Sequence, residues 1–389
     1  MANNRRLGAG AFIGFTGFAA GVVFTVLVAF TGLGLMTLTN YHHFGSLINV
    51  INKVEDNFLE PVNTTKLVDG AIKGLVESLE DPYSVYLDPQ RYKELQTQIQ
   101  GSFGGLGIQV AMKGKNLTVV APIKGTPAYR AGIKSGDVIS KIGTQDVPGM
   151  DIDRAVDLMR GPVGTTATIT ITREEKGEKK SLVFNIVREN ISVPSVEGSM
   201  VKGKPLAYIQ LSMFNENTAD ELSKTLAELK KESFRGIILD LRFNPGGELQ
   251  SAVSVANYFV PKGRVVTIRD KNGREEVFEA DGKRLGLPLV VLVNGYSASA
   301  SEIVAGAIKD TGSGTLVGTK TFGKGIVQTI YPVGSDAALK ITTAKYLTPK
   351  GHDINKKGII PDVVIDLPKE STTDVQLEKA IEILIDKLK

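Results

Sequence analysis

A serine cluster opens the chemistry of this 389-residue chain. Residues 297–302 read Ser-Ala-Ser-Ala-Ser-Glu, behind an apolar run at 289–293 and a turn-like Asn294-Gly295. Downstream comes Thr321-Phe322-Gly323-Lys324-Gly325-Ile326-Val327-Gln328. A serine becomes a nucleophile only when a base takes its proton. Histidine is the usual base, yet the chain holds three, His42 and His43 near an N-terminal apolar segment and His352 far beyond the cluster. A lysine can replace it where a dry setting keeps the amine neutral. The cluster therefore points to serine–lysine catalysis. Residue types alone leave the attacking serine open among Ser297, Ser299 and Ser301, because serine is also a common cap and turn residue.

The elements that must position these groups are strands feeding helices. From residue 205 the pattern predicts a strand at 206–211, a helix at 217–231, a doubly buried strand at 236–241 and a helix at 249–259. A second buried strand follows at 289–293 and a helix at 300–309. This alternation reads as α/β. Two strand-to-helix junctions stand out. One is Asp240-Leu241-Arg242-Phe243-Asn244-Pro245-Gly246-Gly247, where paired glycines leave backbone N–H groups uncovered. The other is the serine cluster itself, at a helix start where free N–H groups favour negative charge. One donor from Gly246 or Gly247 and one from Ala300 would make an oxyanion hole. Losing one such donor costs about 3–4 kcal/mol of transition-state stabilisation.

Ahead of this region, residues 101–188 change texture. Short β-rich runs at 107–112, 117–121, 137–142, 166–172 and 182–188 surround two short helical stretches, 128–133 and 151–160. Gly105-Leu106-Gly107-Ile108, Pro127-Ala128-Tyr129-Arg130-Ala131-Gly132-Ile133, Gly136-Asp137-Val138-Ile139 and Arg160-Gly161 make this segment resemble a PDZ domain. In such a domain the uncovered N–H groups of the glycine loop hold a terminal carboxylate, and the next strand edge pairs with an extended peptide. Leu106 and Ile108 would line the pocket for the last side chain. Arg160, at a helix end beside the groove, is a candidate partner for the carboxylate.

The N-terminus speaks about location. Asn3-Asn4-Arg5-Arg6 precedes an uncharged stretch from Leu7 to Asn40. That exceeds the roughly 20 apolar residues a spanning helix needs. We read residues 1–10 as cytoplasmic and 11–39 as an uncleaved signal anchor, with the bulk of the chain outside a cytoplasmic membrane. Residues 40–97 read as a helical module: Leu47, Val50, Ile51, Val54 and Phe58 form one stripe, and Leu67, Val68, Ala71, Ile72, Leu75 and Leu79 another. A last stripe marks a helix within 372–389, and the terminal helices suggest a homodimer. The net charge of +4 without a basic block disfavours nucleic acid. The absence of cysteine excludes disulfides, thiolate catalysis and lipid attachment through cysteine. No metal site or cofactor is implied.

Together, Asp81-Pro82-Tyr83-Ser84, the PDZ segment, 240–247, 297–302, 323–328 and Gly358-Ile359-Ile360-Pro361-Asp362 resemble the C-terminal processing peptidases, or tail-specific proteases. The resemblance covers nearly everything after the apolar N-terminal segment. It implies a multidomain α/β protein with a PDZ domain at 98–188 and a serine peptidase domain of ClpP/crotonase-like type at 189–371. It also implies that Ser299 is the nucleophile, Lys324 the general base and Gln328 the residue that orients the lysine. The substrates implied are proteins with free, apolar C-termini. On the residues themselves, Lys324 and Gln328 are four apart on what reads as a strand, so their side chains would share a face. A lysine pKa near 10.4 would have to fall to about 7, which asks roughly 4–5 kcal/mol of its surroundings. Two rivals remain: a silent PDZ scaffold, and an acyl-CoA enzyme of the crotonase class.

Overall fold

The computed structural model of the chain describes residues 41–366, apart from Lys176, and residues 373–389. The expected membrane span at 11–39 lies outside these residues. Among the described residues no helix is long and apolar enough to cross a membrane.

The chain divides into two compact units, Met1–Glu80 and Asp81–Lys389. The first contributes helices α1 (Tyr41–Asn57) and α2 (Thr64–Glu77). Asn63 caps α2 by accepting the Lys66 N–H at 3.1 Å. Apolar side chains such as Ile48 and Leu75 are exposed on these helices.

The second unit begins with β1 (Val85–Leu87) and α3 (Pro89–Gln100), so the sequence-based edge of the helical module at residue 97 falls inside it. Asp88 caps α3, and Gly101 ends it in the left-handed conformation that glycine adopts without penalty. Strand β2 (Ser102–Gly105) then leads into a β-rich domain. Its members are β3 (Ile108–Lys113), β4 (Asn116–Pro122), α4 (Pro127–Ala131), β5 (Val138–Ile142), β6 (Gln145–Asp146), α5 (Ile152–Met159), β7 (Thr166–Glu175) and β8 (Glu178–Val187). The antiparallel sheet runs β3-β4-β5-β7-β8, with β6 beside β5. Among the described residues strand β3 pairs only with β4, which leaves its other edge without a partner strand. Val119, Ile139, Ile169 and Ile171 fill the core. Asp137 is structural: it is buried, binds Arg173 Nε at 2.7 Å and accepts the Lys134 N–H at 2.8 Å. The chain leaves through β9 (Glu189–Ser192), which pairs with β2, so both connections of this domain run as one ribbon.

The rest is α/β. In chain order it comprises β10 (Val196–Met200), β11 (Leu206–Leu211), α6 (Thr218–Leu229), β12 (Gly236–Asp240), α7 (Leu249–Asn257), β13 (Gly263–Asp270), β14 (Glu275–Ala280) and β15 (Leu289–Val293). Then come α8 (Ala300–Thr311), β16 (Thr315–Gly318), β17 (Ile326–Val333), β18 (Ala337–Leu347), β19 (Val363–Val364) and α9 (Val375–Leu388). The main sheet runs β10-β11-β12-β15-β16-β19 and is parallel apart from β10. Every residue of β12 and β15 is buried, which explains their unbroken apolar runs. Alternate residues face opposite ways: Ile237 and Leu239 pack with α6, α7 and α8, whereas Ile238 packs with Ala380 and Leu384 of α9. A second sheet runs β1-β18-β13-β14, with β17 also on β18.

Candidate active site

Parallel neighbours β12 and β15 end side by side, with Asp240 opposite Leu292. Ligands favour the crevice at such carboxyl ends. The two loops that leave these ends are sewn together by buried side chains. Asn244 is fully buried; its Nδ2 donates to Leu211 O at 2.9 Å and its Oδ1 accepts the Gly246 N–H at 2.9 Å. Its carbonyl accepts the Ala298 N–H and the Ser301 hydroxyl. The Ser297 hydroxyl donates to Leu241 O at 2.8 Å. Below the first loop, Arg242 bridges Asp240 at 2.6 Å and Asp374 at 2.8 Å, which ties the start of α9 to the strand end.

This network separates the three serines. Ser297 and Ser301 are fully buried, and their hydroxyls hold the loops together. Ser299 is partly exposed at the N-terminus of α8. It sits at φ +54° and ψ −114°, a strained backbone for a residue with a Cβ. Gly246 explains how the loops come so close. A Cβ there would lie 2.8 Å from Ser299 Cβ, 2.8 Å from Ala300 N and 2.7 Å from Ala298 O. Gly247 is pinned the same way, since a Cβ would meet Phe214 O at 1.9 Å.

The oxyanion donors sort by their engagement. Of the two glycines expected as donors, Gly246 already gives its N–H to Asn244 Oδ1 at 2.9 Å. Among the described residues no partner is bonded to the Gly247 or Ala300 N–H.

Glu302 is the hub that sequence reasoning quoted without a role. Its fully buried carboxylate accepts four hydrogen bonds: Ser299 N–H at 3.0 Å, Lys324 N–H at 2.8 Å, Gly323 N–H at 2.8 Å and the Thr321 hydroxyl at 2.6 Å. Burial pushes its pKa up, and these donors pull against that. It thereby fastens the lysine loop to the serine turn. Tyr346 does the same from the other side. Its buried hydroxyl lies between the carbonyl oxygens of Ser299, at 3.0 Å, and Lys324. The glycines flanking Lys324 make room for a third loop. A Cβ on Gly323 would meet Gly358 N at 2.9 Å, and one on Gly325 would meet Asn355 N at 2.5 Å.

Lys324 itself stands with Nζ 5.0 Å from the centre of the Tyr83 ring. Its pKa is lowered, first by burial and then by the like charge of Lys340; Glu302 and Asp81 pull it back up. Asp81 is held by the Ser84 hydroxyl at 2.6 Å. Burial raises the Asp81 pKa, but hydrogen bonds and the charge of Lys324 outweigh it, so it is lowered overall. Asp81-Pro82-Tyr83-Ser84 is therefore part of this site, which its sequence position did not reveal.

Gln328 departs from expectation. Lys324 lies before β17, which starts at Ile326, and the register with β18 slips between Val327 and Gln328. The shared-face argument thus fails. Among the described residues Gln328 Nε2 makes only a long 3.4 Å bond to Ile326 O, and no bond to Lys324.

The residues expected to bind a tail do converge. Gly105, Leu106, Gly107, Ile108 and Arg160 line one groove of about 360 Å³ between the open edge of β3 and α5, with Val156 and Met159 as its apolar wall. The Leu106 and Gly107 N–H groups have no bonded partner among the described residues. The Arg160 guanidinium lies 4.4 Å from the Phe103 ring centre, and its buried Nε is unpaired.

The model of peptidase family S41 matches residues 205–365, a PDZ domain model matches 118–173, and a model of the activating protease CtpB N-terminal domain matches 38–91. The chain is 40% identical to a carboxy-terminal-processing protease of Bartonella bacilliformis over 90% of its own length and 82% of that protein's. The chain belongs to peptidase family S41. It is also 40% identical to the carboxy-terminal processing protease CtpA of Bacillus subtilis, across 84% of this chain and 69% of the relative. Among solved structures it is similar to a photosystem II D1 C-terminal processing protease, with 30% identity, 87% and 96% coverage and a TM-score of 0.49. As an S41 member it is a serine-type peptidase with a PDZ domain, which displaces the scaffold and acyl-CoA alternatives.

Proposed function

We propose that Ser299 and Lys324 form the catalytic dyad of a tail-specific endopeptidase. Ser299 Oγ attacks the scissile carbonyl while its proton passes to Lys324 Nζ. The Gly247 and Ala300 N–H groups receive the oxyanion. Lys324 then protonates the leaving amine, and an acyl-enzyme on Ser299 remains. Water activated by Lys324 hydrolyses it. The observation that carries this reading is that the scaffold consumes the hydroxyls of Ser297 and Ser301 and holds Ser299 apart in a strained turn. Gln328 would orient Lys324 only after turning toward the amine on substrate binding.

The PDZ groove would select the substrate. An extended C-terminus would add to the free edge of β3, with its carboxylate on the Leu106 and Gly107 N–H groups and Arg160 nearby, and its apolar last side chain in the pocket. A signal anchor at 11–39, which would keep the peptidase outside a cytoplasmic membrane, and pairing of two copies through the terminal helices belong to the same proposal.

The test is to incubate the chain with a model protein bearing an apolar C-terminal tail and follow fragments by mass spectrometry. The parent should cleave, and Ser299→Ala and Lys324→Ala should bind the tail without cleaving. Equal cleavage by parent and Ser299→Ala would refute the assignment.

A further inference from the structure

Among the described residues Lys340 is a lysine without a counterion, and its charge acts on the proposed catalytic one. It lies on β18, opposite Val85 of β1 and Ile330 of β17. Val85 follows two residues after Tyr83, the ring that Lys324 Nζ faces. Lys340 thus sits on β18 two positions along from the stretch where Tyr83, and with it Lys324 Nζ, approaches the paired strands. Lys340 is partly buried, and among the described residues it makes neither a hydrogen bond nor an ion pair. An ammonium held in that way is disfavoured unless something is gained by it.

The charges around Lys324 suggest the gain. Glu302 faces it from α8 and Asp81 from the segment before β1. The Tyr83 ring and the buried hydroxyl of Tyr346, whose pKa burial pushes up, also border Lys324. Two carboxylates beside one amine would hold that amine protonated and useless as a base. Lys340 is the cation that opposes them. Neighbouring cations are a known way to keep a catalytic lysine neutral.

We propose that Lys340 is a positioning residue whose positive charge keeps Lys324 in its unprotonated, base-competent form. This rests on the reading of Lys324 as the general base. Burial lowers the pKa of both amines, and at Lys324 the like charge of Lys340 adds to that.

The experiment compares pH profiles of kcat/KM and kcat for the full chain on a peptide substrate. The variants are Lys340→Met, Lys340→Arg and Lys324→Ala. Removing the Lys340 charge lets Glu302 and Asp81 raise the Lys324 pKa. The acidic limb of Lys340→Met should then move to higher pH. Activity at neutral pH should fall roughly three- to tenfold, and the loss should close in alkaline buffer. Lys340→Arg should keep the parental limb. The melting temperature of Lys340→Met should be no lower than the parent's, because an unpaired, partly buried charge has been removed. A uniform loss at every pH, or a rise in KM with the limb unmoved, would overturn the proposal. Lys324→Ala keeps the two claims apart. If it retains the parental profile, the dyad reading has failed; if it is inactive and the Lys340→Met limb is unmoved, only the role of Lys340 has.

Discussion

The serine turn and the PDZ groove solve opposite problems. Around Ser299 the side chains that hold the loops are committed, leaving the Gly247 and Ala300 N–H groups aimed but, among the described residues, unpaired: Glu302 takes four donors, Asn244 joins three segments, and Tyr346 spans two carbonyls. The strained φ of Ser299 survives because that network over-determines it. The groove between β3 and α5 is the reverse. Its N–H groups are uncommitted, its strand edge is open, its wall is apolar, and Arg160 rests on one aromatic ring. Bond making needs donors fixed before substrate arrives, because they must cost no reorganisation at the moment of reaction. Selection needs groups left free for the partner. On the proposed function, rigid commitment on one side and open valence on the other would be two parts of one division of labour.

Mutations can break that contrast, and the effects should descend in order. Glu302→Ala should be the most damaging. It orphans four donors in a dry setting, so a loss of about 3 kcal/mol or more in chemical denaturation is expected, with no measurable cleavage. A stable, active Glu302→Ala protein would show that the turn is not held by this hub. Gly246→Ala comes next. Its Cβ would press on backbone at Ala298 and Ala300, which cannot swing aside as a side chain can. We expect a fall in kcat of roughly a hundredfold or more, since misplacement by about 1 Å already costs that much. Arg160→Ala should be the mildest, a several-fold rise in KM for substrates with a free C-terminal carboxylate. C-terminally amidated substrates should show no difference between parent and variant. If Arg160→Ala instead lowered kcat on both substrates alike, the groove would be part of the catalytic scaffold and the contrast would fail.

Much of this architecture is legible in the chain, for identifiable reasons. Strands β12 and β15 announce themselves as short apolar runs because both faces are covered. The junction glycines are legible because paired glycine after a buried strand has few other uses. The choice among three serines is not legible, because the discriminating fact is whose hydroxyl meets Leu241 O or Asn244 O, more than fifty residues away. Glu302 carries a readable signal: Ser299-Ala-Ser-Glu302 has the spacing of a capping box, with a charge leading into the apolar Ile303-Val304-Ala305. Asp81 and Tyr83 show only as part of a family motif with no role attached, and Lys340 and Tyr346 carry no signal, since long-range pairing of β1 and β17 with β18 sets their place. Gln328 shows the hazard of parity arguments, for a single register slip in β17 undoes them.

The pH dependence joins both proposals. Burial and Lys340 place the Lys324 pKa below the ordinary lysine value of 10.5. Cleavage should therefore rise with pH along an acidic limb that lies lower than an exposed lysine would give.

The most direct measurement is covalent labelling of the full chain by a fluorophosphonate, followed across pH with the modified residue located by peptide mass spectrometry. The account predicts a single adduct on Ser299, forming faster as pH rises along the limb of Lys324 and greatly slowed in Lys324→Ala. An adduct on Ser297 or Ser301, or labelling of Ser299 at the same rate without Lys324, would contradict the dyad.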